Sequence, residues 1–147
     1  MEVLGATASV AALVDLSVKV TSLLVQYSKD VRRATADIER IKSELTELKS
    51  AWDNVKKLLD GPNGKRLAAS QNFAIALEDS RSRLEDLEKT LDPGTGRSAL
   101  RKLGVRLKWP LDKKDVGKTI QDLASCTQMI SLGLLVDQAY VPPSLDV

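Results

Sequence analysis

The chain has 147 residues, 22 basic and 20 acidic side chains, a single cysteine and no histidine. That length is the common size of one domain. The net charge of +2 is too small to point to a nucleic-acid partner. One cysteine excludes an intrachain disulfide and a cysteine-cluster zinc site, and the missing histidines remove the usual catalytic base and metal ligand. Aromatic residues make up only 3% of the chain, so the apolar load falls on Leu, Val, Ile and Ala. That favours packed helices over a sandwich.

The opening stretch up to Val25 carries three charges, at Glu2, Asp15 and Lys19. A secretory signal needs a positive segment ahead of its apolar run, and here the early charge is acidic. Myristoylation requires glycine at the position of Glu2. The expectation is therefore neither a signal peptide nor a lipid anchor, but a helix with an inner seam at Val10, Leu13, Ser17, Val20, Leu24, Tyr27 and Val31. Leu4, Val14, Leu16, Val18, Leu23 and Val25 add apolar surface outside that seam. A helix apolar nearly all round predicts burial on several sides, at the centre of the other long helices.

The second segment runs Ile38, Ile41, Leu45, Leu48, Trp52, Val55, Leu59, one side chain per turn on one face. It stops at Asp60-Gly61-Pro62-Asn63-Gly64, where glycine is expected to cap and proline forbids continuation. The third repeats the spacing at Phe73, Leu77, Ser80, Leu84, Leu87 and Leu91, with Ser80 the weak position, and breaks at Asp92-Pro93-Gly94. A short basic amphipathic helix is predicted over "RSALRKLGVRLKW", with Leu100, Leu103 and Leu107 on one face. Asp112-x-x-Asp115 then reads as a capping pair at the positive end of a helix dipole. The helix it opens carries Val116, Ile120, Leu123, Thr127, Ile130 and Leu134 and is expected to end near Gln138. The resulting expectation is an all-α fold, an antiparallel four-helix bundle with an extra short amphipathic helix before the last long one. Residues 1–138 form the bundle and 139–147 a linker or tail.

Chemistry is sparse. No GxxxxGK[ST] phosphate loop, GxGxxG turn or GxSxG elbow occurs, and neighbouring carboxylates such as Glu85 and Asp86 point apart on a helix. The chain reads as a non-enzyme without cofactor or metal. Cys126, between the seam positions Leu123 and Thr127, reads as a small semi-buried hydrophobe. Trp109 reads as a plug beneath the loop before Pro110, with a membrane-interface position as the alternative.

As a helix, residues 3–25 would extend about 35 Å against a hydrocarbon thickness of about 30 Å. Its eleven Val and Leu residues favour insertion by about 3–7 kcal/mol, while Asp15 and Lys19 each cost about 2.5–3.5 kcal/mol. A lone span is thus close to neutral or unfavourable. Insertion becomes feasible when copies associate and the face holding Asp15 and Lys19, four residues apart and able to pair, lines water.

Three blocks resemble one family. "GATASVAALVDLSVKVTSLLVQY", "ADIERIKSELTELKSAWDNVKKLL", and "LKWPLDKKDVGKTIQDL" leading to "LLVDQ" look like the fungal N-terminal domain of NOD-like STAND receptors. This is the HeLo-like group often found ahead of a NACHT nucleotide-binding module, and the resemblance covers roughly residues 3–138. It implies a helical bundle that executes regulated cell death in heterokaryon incompatibility or immunity. Its architecture would be similar to the executioner bundle of the mixed-lineage kinase domain-like pseudokinase and to plant coiled-coil immune-receptor domains. The resemblance further implies a domain cytoplasmic at rest, clustered into a homo-oligomer by a NACHT-type module or an amyloid-signalling receptor, and then bound to anionic membrane. Carried onto this sequence, the insertion helix holds Val3, Leu4, Val10, Leu13, Val14, Leu16, Val20 and Leu24, with Asp15 and Lys19 facing a pore. Arg97, Arg101, Lys102, Arg106 and Lys108 form the expected lipid-surface patch, from their charge pattern. The rival expectation is a non-lytic helical interaction module, or a regulatory module of a NOD-like receptor.

Overall fold

A computed structural model describes residues 2–92 and 108–134, and among them every regular element is helical. Helix α1 spans Val3–Asp30, and Lys29 in its last turn complements the helix dipole. Val31 then turns extended and a 3₁₀ turn, Arg32–Ala34, reverses the chain into α2, Thr35–Leu59. A short helix, α3, covers Gly64–Ala69. Helix α4, Gln71–Leu91, starts where the Ser70 hydroxyl accepts the Phe73 backbone N–H at 3.4 Å. Helix α5, Lys113–Met129, runs on into a π-helical turn at Ile130–Leu134.

The predicted face of α2 is the observed one, since Ile38, Ile41, Leu45, Leu48, Trp52, Val55 and Leu59 are all buried. In α4 the small Ala76 takes the buried position expected for Leu77, and Ser80 is fully buried. Its hydroxyl accepts the Trp52 indole N–H at 3.3 Å, while Phe73 meets the same indole edge-on at 6.3 Å. The weak seam position is thus an acceptor for a buried donor that apolar neighbours would leave unsatisfied. The Asp112 capping pair forms as read: Asp115 N–H donates to Asp112 Oδ1 at 2.7 Å and Asp112 N–H to Asp115 Oδ2 at 3.5 Å. On α5, Cys126 is buried and Thr127 half-buried, a shift of one residue from the expected seam.

Two further expectations change. Gly61 follows the C-cap residue Asp60 but does not close α2 in the left-handed conformation of a glycine cap. Gly64 is needed for a close approach instead: a Cβ there would lie 1.9 Å from the Leu59 carbonyl oxygen. That contact starts α3, which no apolar period announced.

Nor is α1 enclosed by the other long helices. Its main contacts are with α2 and α4, and α5 packs in turn on those same two. Lys19 meets Glu88 and Tyr27 meets Leu91, so α1 and α4 run in the same direction. Arg83 meets Asp122 and Asp79 meets Cys126, so α4 and α5 run in opposite directions. The outer face of α1 stays in water because its apolar positions alternate with Gly5, Ala8, Asp15, Lys19 and Ser22, all exposed. A surface more than half apolar is ordinary, so the apolar excess did not require a central position.

Candidate functional site

The residues assigned to the insertion helix divide between two environments. Val10, Leu13, Val20 and Leu24 are buried, joined by Ala6, Leu23 and Tyr27. Val3, Val14 and Leu16 are half-buried, and Leu4 is 82% exposed. Val18 adds another exposed apolar side chain at 51%. Only 33% of the most apolar 18-residue window of α1 is buried. By length and composition α1 can cross a membrane, although the core helix of a soluble protein passes the same test.

Contacts toward the C-terminal end of α1 fasten it to its neighbours. The Tyr27 hydroxyl donates to the Leu91 carbonyl at 2.7 Å in a buried bond. Leu91 is the last residue of α4, so its carbonyl has no acceptor role within the helix and the tyrosine satisfies it from outside. The Trp109 ring stands edge-on to Tyr27 at 5.5 Å and 78°, which places it as the plug read from sequence. Lys19, about two turns earlier, reaches across to Glu88 Oε2 at 2.7 Å. Its partner lies on another helix, and with the lysine side chain 59% exposed the pair contributes little in water. Asp15 stays exposed on the outer face.

Exposing α1 is costly. Val10, Leu13, Val20, Leu23 and Leu24 are at most 2% exposed, and burial of such side chains stabilises by about 1.5–3 kcal/mol each, or about 7–15 kcal/mol together. That matches the whole stability of a typical domain, about 5–15 kcal/mol. Release of α1 is therefore not local fraying; another apolar environment must replace the core it leaves.

A second polar cluster links α4 to α5. Arg83 binds Asp79 at 3.3 Å and Asp122 at 3.0 Å, and the Cys126 thiol donates to Asp79 at 3.4 Å. Burial first, then the hydrogen bond and charge of Asp79, push this thiol up to about 11. A thiol held neutral at physiological pH is a poor nucleophile. Among the described residues no group of His, Cys, Asp and Glu is arranged to hold a metal.

Of the lipid-surface patch, Arg97, Arg101, Lys102 and Arg106 lie outside the described residues, and Lys108 is exposed. Sequence reasoning passed over Lys29, Arg32 and Arg33 at the α1–α2 turn, which come close to Lys108 around one cleft. The signal available was a basic residue and a basic pair flanking a helix break. Comparison with protein-family models, curated proteins and solved structures finds no match for this chain.

Proposed function

We propose that the chain is a membrane-targeting cell-death effector domain of the HeLo-like kind, a non-enzymatic antiparallel four-helix bundle of fungal incompatibility or innate immunity. The observation that carries this reading is the double character of α1, whose inner face is core while Leu4 and Val18 stand in water at 82% and 51% exposure. Single exposed apolar side chains are ordinary on a protein surface; these two lie on a helix that is also long and apolar enough to cross a membrane. In this reading the domain rests in the cytoplasm. Clustering by a NACHT-type module or an amyloid-signalling receptor forms a homo-oligomer, and lipid then replaces the apolar surroundings that α1 gives up. The resemblance of the three sequence blocks to HeLo-like domains supports the assignment.

Dye release from anionic liposomes, with chemically cross-linked oligomers of the chain, tests it. Wild-type oligomers should release dye, and Leu4→Glu/Val18→Glu should abolish release while keeping the helical circular dichroism, since both positions are exposed. Intact liposomes with wild type, or equal leakage by the double variant, would refute the reading. The second reading, a non-lytic interaction or regulatory module of a NOD-like receptor, is favoured by Ile75 and Leu132, exposed at 50% and 70% away from α1. It requires saturable binding of a helical protein that the α1 substitutions leave unchanged.

A further inference from the structure

Where the α1–α2 turn meets the start of the last helix there is a cleft of about 1100 Å³. Lys29, Arg32 and Arg33 line it from the turn, and Lys108, Trp109 and Lys113 from the segment entering α5. These five cations come from stretches more than seventy residues apart in sequence, so only the fold assembles them. Three carboxylates, Asp30, Asp37 and Asp112, share the rim with the five cations. The cleft therefore keeps a positive excess, and a concave wall of low dielectric focuses that field. Trp109 forms part of the wall. Its indole N–H is buried and has no hydrogen-bond partner among the described residues, a state that buried polar groups rarely keep.

We propose that this cleft binds a phosphate-bearing ligand with at least two negative charges, held by Arg32, Arg33 and the three lysines. The chemistry matches the donors. Guanidinium groups give two parallel N–H bonds to a phosphate, and lysines act as mobile point charges around it. A carboxylate ligand of single charge would leave most of the cations unused. A lipid headgroup and a soluble polyphosphate share this chemistry, and the site serves either. The inference stands apart from membrane permeabilisation, because binding here requires no movement of α1.

Tripolyphosphate is the probe, titrated into the full chain at low ionic strength and followed by calorimetry and tryptophan emission. The chain has two tryptophans; Trp52 is buried in the core, so an emission change that disappears in Trp109→Phe places the ligand in the cleft. Arg33→Glu/Lys113→Glu should weaken binding at least about tenfold, since charge-assisted bonds are the strong ones. Lys113 is the first residue of α5, where glutamate suits the dipole, so that change does not threaten the helix. Lys57→Glu/Lys65→Glu makes the same charge change at exposed positions beside the α2–α3 junction and should leave affinity within about twofold. No saturable heat, or equal losses in the two double variants, would overturn the proposal. Vesicles of phosphatidylcholine with phosphatidic acid then assign the source. Capture that tripolyphosphate displaces, and that Arg33→Glu/Lys113→Glu loses, assigns the headgroup; tripolyphosphate binding without vesicle capture assigns a soluble phosphate.

Discussion

Replacing Tyr27 by phenylalanine isolates the link between α1 and α4. The ring stays, with its edge-on contact to Trp109, and only the hydroxyl that donates to the Leu91 carbonyl at 2.7 Å is removed. Because that carbonyl ends α4 and the bond is buried, the loss leaves an acceptor without its donor. Leaving such a group unsatisfied costs about 1–3 kcal/mol, more than the net 0.5–1.5 kcal/mol of an average hydrogen bond. For a chain of this size each kcal/mol moves the thermal midpoint by about 2–4 °C. Tyr27→Phe should therefore lower the midpoint by about 2–12 °C in thermal unfolding followed by circular dichroism. If the membrane reading holds, the same variant should release liposome dye at a lower oligomer concentration than wild type, because the resting state it must leave is less stable. Lys19→Ala is the control: it removes an ion pair whose lysine is largely exposed and should change the midpoint by less than about 2 °C. An unchanged midpoint in Tyr27→Phe, or a larger effect from Lys19→Ala, would refute the view that the buried hydroxyl is what fastens α1.

Gly64→Ala places a Cβ 1.9 Å from the Leu59 carbonyl oxygen and 2.8 Å from its carbon, backbone atoms that no side-chain rotation relieves. It should destabilise by about 1–3 kcal/mol or more in urea unfolding, and an unaltered midpoint would show that the junction gives way freely. Cys126 sets a pH dependence whose sign follows from its neutral form being favoured in the fold. Its thiol, raised from 9.0 to about 11, stays protonated where the unfolded chain's thiol has ionised. Its contribution to stability is accordingly level below about pH 9 and falls as pH rises from about 9 to 11. Cys126→Ser should flatten that decline in denaturation curves taken across the interval. Alkylation of Cys126 by iodoacetamide at neutral pH should be slow in the folded chain and fast in urea, with rapid labelling of the native state as the contrary result.

Several parts of this architecture can be read from local spacing alone. The seven apolar positions of α2 and the Asp112–Asp115 cap belong to one helix each, and a helix places residues three and four apart on one face whatever surrounds it. The same logic fixed the inner face of α1. It did not reveal α3, because six residues are too few to show a period and the contact that starts it depends on the absence of a Cβ at Gly64. It marked Ser80 as a flaw, since its partner, Trp52, sits on another helix. It also took the apolar excess of α1 as a sign of enclosure. Periodicity counts apolar residues around a helix but does not say how many neighbours will cover them.

The candidate sites divide in the same way. The stretch with the composition of an insertion helix, from Val3 onward, and the cluster of basic residues ending at Lys108 are visible in the sequence because each is contiguous. The joining of Lys29, Arg32 and Arg33 to Lys108 and Lys113, the hydroxyl of Tyr27 on Leu91, and the reach of Lys19 to Glu88 are long-range pairings. By itself, then, the sequence determined the cores of the long helices α1, α2, α4 and α5 and, to within a residue, which face of each turns inward, because those follow from backbone geometry and water's exclusion of apolar side chains. Only the tertiary structure decided which helices meet, because that depends on how the faces pack and where buried polar groups find partners. It left α1 with one face in the core and one in water.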